Sequence, residues 1–269
     1  MCFSLGYLYT FFLYSENIMP RDGGTEALIL KPFNLNMVKD ASVSIFVGKP
    51  HTGKSYCVRD LCYHKADFPV GKVMSGTEKS NGYYKDFMPS SIIEFDWSPT
   101  NCDKFVKRQE IITNKKREDP NFKFCDPRGF FILDDLMYDT SWMKYKTIKQ
   151  LFMTGRHYHI MFIITMQYPL GISPTLRTCV DYVFLFRENI VSNRKRIYDN
   201  YAGMFPNFEV FCATMDKYTE NYGCIVIHNG SSSNKLEEQI FSYRAQDHGP
   251  FRMCDQILWD MDKKEKRRV

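Results

Sequence analysis

Hydrophobic and polar positions divide this chain into short, almost purely apolar runs separated by charged stretches. Residues 42–47 are apolar and rich in β-branched side chains, and they deliver the chain into a glycine-bounded loop. Residues 129–133, 160–166 and 180–186 form three more such runs, while residues 72–74 open a strand that stops at Ser75-Gly76 and residues 92–95 suggest another. Strands this apolar are buried on both faces, which predicts a mainly parallel sheet with helices on both sides. Helices are predicted over residues 56–64, 103–118, 144–152 and 194–201. The second of these carries Phe105, Val106, Gln109 and Ile112 among a majority of charged residues, so it reads as amphipathic with a basic outer face, stopped by Asp119-Pro120. Towards the C-terminus, residues 224–228 read as a strand, residues 230–234 as a loop, and residues 262–268 as a charged, solvated tail. No internal repeat is visible. The pattern divides the chain into an N-terminal extension (1–40), an α/β core (41–230) and a C-terminal extension with a basic tail (231–269).

Composition narrows the class. At 269 residues, with 44% hydrophobic and 25% charged residues, the chain has enough apolar area to fold as a packed globule, which excludes global disorder. Thirty-six Lys plus Arg against thirty-one Asp plus Glu leave a net charge of +5, a balance that tolerates a polyanionic partner without requiring one. Nine cysteines are scattered without a C-x-x-C pair, predicting a reducing compartment with neither a disulfide frame nor a zinc site. Residues 1–14 are uncharged and apolar but fall short of the ~20 residues of a spanning helix. They also lack a basic leader and a cleavage site, so an upstream start or a packed strand is expected instead of stable membrane insertion.

Two segments carry the candidate chemistry. Gly48-Lys49-Pro50-His51-Thr52-Gly53-Lys54-Ser55 matches G-x-x-x-x-G-K-[ST] and lies between a predicted strand and a predicted helix, where a phosphate-binding loop belongs. Its glycines would let backbone N–H groups and the helix N-terminus face the phosphates of ATP, Lys54 would bridge the β- and γ-phosphates, and Ser55 would bind Mg²⁺. Phe131-Ile132-Leu133-Asp134-Asp135 is an apolar strand ending in twin carboxylates. Asp134 is the second expected Mg²⁺ holder, and Asp135 stands where a carboxylate can orient or deprotonate the attacking water, with Glu78 in reserve for that role. Gln167, at the tip of the next strand, is the expected sensor of the γ-phosphate. Arg156 and Arg177 are both candidates to reach the γ-phosphate of a neighbouring subunit. His157 and His159 are too few for a metal site. Basic clusters at Lys104, Lys107 and Arg108, at 115–117, at 194–196 and at 263–268 suit a phosphate backbone but suit a solvated face equally.

The stretch from Thr154-Gly155-Arg156-His157 through Thr165-Met166-Gln167-Tyr168-Pro169 to Asp181-Tyr182-Val183-Phe184 resembles the genome-packaging ATPases of nucleocytoplasmic large DNA viruses, the poxvirus and iridovirus type within the FtsK/HerA group. Met74-Ser75-Gly76-Thr77-Glu78 and the two motifs above agree in order, so the likeness covers about residues 42–188. It implies a RecA-like sheet, a homo-oligomeric ring, a double-stranded DNA substrate, docking on viral capsid proteins, a place at the virus assembly site in the host cytoplasm or in the virion, and an arginine-finger role for Arg156. Cys179 departs from the polar residue expected in that loop.

Other functions fit less well. A GTPase needs a base-reading Asn/Thr-Lys-x-Asp after the Asp-Asp strand, and the nearest string, Asn114-Lys115-Lys116-Arg117, precedes it and lacks the Asp. A P-loop kinase of a nucleoside or small molecule shares the loop and the carboxylates and stays open. A non-hydrolysing ATP-binding scaffold is disfavoured by the intact set Lys54, Ser55, Asp134 and Asp135.

Overall fold

The structure is a computed structural model that describes residues 26–136, 141–168 and 171–266. In chain order, β1 (Lys31–Pro32) and β2 (Val43–Val47) lead to α1 (Lys54–His64), β3 (Gly71–Ser75), α2 (Glu78–Asn81), β4 (Ile93–Glu94) and α3 (Pro99–Glu118). Then come β5 (Gly129–Asp134), α4 (Lys146–Thr154), β6 (Ile160–Met166), α5 (Pro174–Arg177) and β7 (Tyr182–Leu185). The chain closes with α6 (Val191–Tyr201), α7 (Phe208–Tyr218), β8 (Gly223–His228), β9 (Ile240–Arg244) and α8 (Gln256–Lys266).

These strands form one nine-stranded sheet in the order β1-β9-β8-β7-β2-β6-β5-β3-β4. The six from β7 to β4 are parallel, and β8 runs antiparallel to both of its neighbours. The period-two alternation of a strand decides which side chains face which helical layer. In β5, Phe131 and Leu133 pack with Phe105 of α3 and Leu151 of α4. Phe130 and Ile132 point the other way, towards Val58 and Leu61 of α1. Both faces are covered, as the apolar runs predict. Each fully buried Phe, Leu or Ile side chain stabilises the fold by roughly 1.5–3 kcal/mol.

Several elements differ from the sequence pattern. Helix α3 starts four residues before the predicted position because Ser98 caps it, its side chain accepting the Asn101 N–H, with Pro99 in the first turn. Helix α7 and strand β9 were not anticipated. Strand β9 pairs with β8, and β1 pairs with β9, so the sheet runs past both boundaries drawn at residues 40 and 230. The expected solvated tail is also partly packed. Asp262, on α8, is buried, and its carboxylate accepts the backbone N–H groups of Ser90 and, at 2.9 Å, Ser91. The apolar stretch 1–14 lies outside the described residues, among which no helix is long and apolar enough to cross a membrane.

A second anchor ties the C-terminal segment to α1. The fully buried Asp60 carboxylate accepts the Tyr243 hydroxyl at 2.6 Å and the Gln246 N–H at 2.7 Å, and His248 Nε2 lies 2.7 Å from it. Helix α1 is thereby held from behind while its N-terminus faces the candidate site.

Candidate functional site

The loop after β2 is shaped by two glycines. A Cβ on Gly48 would stand 2.5 Å from Phe186 Cβ and 2.9 Å from Thr52 Oγ1, so no larger residue fits. Gly53 has φ +101°, a left-handed conformation that L side chains rarely adopt, and it opens α1 without a side-chain cap. The first intrahelical donor is the Cys57 N–H, bonded to Gly53 O at 3.0 Å, so the N–H groups of Lys54, Ser55 and Tyr56 have no helical partner. Such a terminus favours negative charge. Lys54 Nζ lies over the loop, donating to Gly48 O at 2.5 Å and to Lys49 O at 2.7 Å. Burial pushes its pKa down, against the pull of Asp135 and Asp134. Thr52 Oγ1 also donates to Lys49 O, at 2.8 Å, and Lys49 pairs at 2.6 Å with the buried Glu188.

The twin aspartates lie on the same edge of the sheet. Strand β6 separates β2 from β5, which puts the end of β5 roughly 10 Å across the sheet from the end of β2, at about 4.8 Å per strand. Asp134 is buried, and its carboxylate accepts Ser75 Oγ at 2.8 Å and Thr165 Oγ1 at 2.7 Å. Burial raises its pKa, only partly offset by those two hydroxyls; Asp135 adds to the rise and Lys54 opposes it. Asp135 follows in the left-handed region, φ 50°, with its N–H donated to Thr165 Oγ1 at 3.1 Å. Gln167, just beyond β6, donates through Nε2 to both Asp135 oxygens, at 2.7 and 2.8 Å. Left-handed non-glycine residues cost free energy and concentrate where function demands them.

The other candidates fall elsewhere. Glu78 is fully buried, and its two oxygens accept the backbone N–H groups of Tyr84 at 2.9 Å and Lys85 at 3.1 Å, so it braces the segment after α2. Arg156 lies at the opposite edge of the sheet, before β6 begins. It donates to Cys179 O at 3.1 Å and stands 3.5 Å from the Asp181 carboxylate, which in turn accepts the Val43 N–H at the start of β2. Its own chain's Lys54 therefore lies a strand length away, roughly 15 Å at about 3.3 Å per residue. Arg177 donates to Ile172 O at 3.1 Å and covers the Tyr201 ring at 5.8 Å. Of the basic clusters, two of residues 194–196 are paired within the chain, Arg194 with Asp216 and Lys195 with Asp199 at 2.9 Å. Lys104 and Lys115 of α3 remain exposed, and Arg117 pairs with Glu118 at 2.7 Å.

No protein-family profile matches the chain. Protein L437 of Acanthamoeba polyphaga mimivirus is 36% identical over 238 residues, 87% of this chain and 83% of its own length. Protein 088R of Invertebrate iridescent virus 3 is 34% identical over 228 residues, 80% of this chain and 84% of its own. The chain belongs to this family of proteins of large DNA viruses. Among solved structures, the genome packaging NTPase B204 of Sulfolobus turreted icosahedral virus 2, crystallised with ATP-gammaS, superimposes with a TM-score of 0.52 at 14% identity, over 78% of this chain and all of B204. That likeness is one of fold: this chain has the α/β fold of P-loop NTPases.

In this family member, sequence reasoning missed Ser75, Thr165 and Glu188. Thr165 was detectable as the one hydroxyl in the apolar run 160–166, and Ser75 as the polar end of β3, but neither adjoins Asp134 in sequence. Glu188 is buried, which raises its pKa, yet Lys49, the Ile190 N–H and Asn193 outweigh that and hold it below the usual carboxylate range. A buried Asp134 whose neighbouring cation Lys54 is bonded to loop carbonyls has a charge that a hard divalent cation could offset. Ser55 and Asp134 are the oxygen-bearing side chains that could hold such an ion as Mg²⁺.

Proposed function

We propose that this chain is an ATP-hydrolysing motor that moves double-stranded DNA, and that it packages a viral genome into the capsid as a homo-oligomeric ring. One observation carries the reading: the Gly48 to Ser55 loop, Asp134, Asp135 and Gln167 gather at one edge of a parallel sheet, with Lys54 in electrostatic reach of both carboxylates. The ends of parallel strands are where ligands of α/β sheets bind. The packaging role draws support from kinship with large DNA viruses and from the fold shared with B204.

In this reading the loop from Gly48 to Gly53 wraps the phosphates of ATP, the backbone N–H groups of Lys49, His51, Thr52 and Gly53 being available to donate while Pro50, which has no N–H, only shapes the turn. Lys54 leaves its loop carbonyls for the β- and γ-oxygens. Mg²⁺, held by Ser55 and Asp134, would neutralise charge on the phosphate oxygens. Asp135 accepts the proton of a water that attacks the γ-phosphorus as the bond to the leaving ADP breaks, and Gln167 aligns Asp135 and senses the γ-phosphate. Glu78 is fully buried and held by the backbone of its own segment, whereas Asp135 is only partly buried and lies within electrostatic reach of Lys54, so the base role goes to Asp135. Arg156, too far to serve its own chain, acts on the neighbouring subunit's γ-phosphate. The site of action is the virus assembly site in the host cytoplasm and the virion, where capsid proteins are the docking partners.

The test is ATP turnover with and without linear duplex DNA. Duplex DNA stimulates the native protein, Lys54→Ala abolishes turnover, and Arg156→Ala loses it as well. Mixing the two inactive variants restores a fraction, because some interfaces then combine an intact loop with an intact arginine. Turnover that ignores DNA but rises with a phosphate acceptor would establish a kinase instead.

A further inference from the structure

A cavity of about 460 Å³ opens beside the phosphate-binding loop, walled by His51, Gly53, Tyr56, Asn221, Tyr222 and Arg244. That volume lies within the ~300–1,000 Å³ typical of small-molecule sites. The loop and the far wall touch: a Cβ on Gly53 would sit 3.2 Å from Tyr222 Cβ. Anything whose phosphates rest on the loop therefore has this cavity within reach of its remaining atoms.

The wall is built at a conformational cost. Six non-glycine residues have positive φ among the described residues, and three of them, His51 (62°), Asn221 (50°) and Tyr222 (63°), line this one cavity. Two in succession are unusual for side chains other than glycine. The turn presents the Tyr222 ring, 67% exposed, towards the same space as Tyr56, 62% exposed. Large aromatic rings left uncovered around a cavity offer a flat, apolar planar group a surface to stack on. Arg244, at the end of β9, can lie flat on the same group. The side-chain amide of Asn221 has no hydrogen-bond partner among the described residues.

We propose that this cavity holds the nucleobase of the bound triphosphate and selects adenine over guanine. The proposal rests on the reading of the loop as a triphosphate site. An Asn amide can bond adenine bidentately, donating to N7 and accepting from the N6 amino group. Guanine presents two adjacent donors, N1–H and the N2 amino group, which call for a carboxylate, and no acidic residue lines the cavity among the described residues. Stacking on Tyr56, Tyr222 and Arg244 supplies base affinity, and Asn221 supplies the choice. The Asn221-Tyr222 turn thus joins the C-terminal part of the sheet to the nucleotide.

The test measures dissociation constants for ATP, GTP and inorganic tripolyphosphate in Mg²⁺ buffer, using the full chain. The native protein should bind ATP at least about ten-fold more tightly than tripolyphosphate, since stacking on an aromatic ring is commonly worth that much, and about ten-fold more tightly than GTP, since a bidentate amide–adenine pair discriminates against the wrong base by at least that order. Tyr222→Gly keeps a residue suited to positive φ, so folding is spared. It should weaken ATP about ten-fold and leave tripolyphosphate unchanged. Asn221→Asp should reverse the preference towards GTP. If tripolyphosphate binds as tightly as ATP, or Tyr222→Gly leaves ATP affinity unaltered, the base subsite is wrong while the phosphate loop stands. If no triphosphate binds and Lys54→Ala changes nothing, the phosphate site is overturned and the base subsite with it.

Discussion

Thr165 shows how much one hydroxyl can organise: it donates to Asp134 at 2.7 Å and accepts the Asp135 N–H at 3.1 Å. Both carboxylates are aimed through it. Asp134 carries the energetic cost of the site, because burial raises its pKa in the folded protein. For a carboxylate raised above its unfolded value of about 3.9, the folded state binds the extra proton, so stability falls as pH rises through that window. At neutral pH the charge is therefore a burden on the fold. Asp134→Asn, of the same shape but neutral, should raise the melting temperature by about 2–4 °C, corresponding to about 1 kcal/mol, while ATP turnover falls at least ~100-fold. Calorimetry and a phosphate-release assay check the two halves; a lower melting temperature with turnover intact would refute them. At this scale the sequence was legible where chemistry is contiguous, as in Gly48 to Ser55 and Asp134-Asp135. Ser75, Thr165 and Glu188 were hidden because they reach the site from the ends of different strands and meet it only through strand order.

Among the elements, β5 is held in place by an ion cluster at its start. Arg128 pairs with Asp126 at 2.7 Å, Asp67 at 2.8 Å and Asp40 at 3.1 Å, and covers the Phe68 ring at 5.0 Å. Burial raises the pKa of Asp40, but hydrogen bonds from Lys65 and Arg128 outweigh it; Asp126, likewise raised by burial, is lowered further by Arg128. Both values are depressed in the fold. The stability they contribute is complete above the unfolded value near 3.9 and is lost as pH falls through the lower folded values. Arg128→Met should make the decline of melting temperature below about pH 4 shallower, with little change in shape above pH 6; an unchanged acid limb would contradict this. These pairs are half exposed, so solvent screens them and the effect is one of slope more than of size. The parallel strands were readable because burial on both faces leaves an unbroken apolar run. Strand β9 was not, since Ser242 to Arg244 are only partly covered and its pairing is with the end of the sheet. Helix α7 was hidden by a mixed pattern whose start depends on an Asn207 cap accepting the Val210 N–H at 2.8 Å.

For the whole molecule, the two edges of the sheet carry complementary halves of one proposed active site. Lys54, Asp134, Asp135 and Gln167 lie at one edge, and Arg156, tied to Cys179 and Asp181, lies at the other. Subunits that meet edge to edge would complete each site in turn, which is how hydrolysis in one could be passed to the next. For the surface that would grip DNA, the charge distribution favours α3: Arg194 and Lys195 are spent on ion pairs, whereas Lys104 and Lys115 of α3 are exposed. The most direct test of a duplex-moving motor is ATP-dependent displacement of a third strand annealed to linear duplex DNA. The native protein is predicted to displace it in ATP, whereas the Lys54→Ala and Asp135→Asn proteins leave it in place. Displacement by Lys54→Ala, or rapid ATP hydrolysis by the native protein with the third strand untouched, would contradict the account.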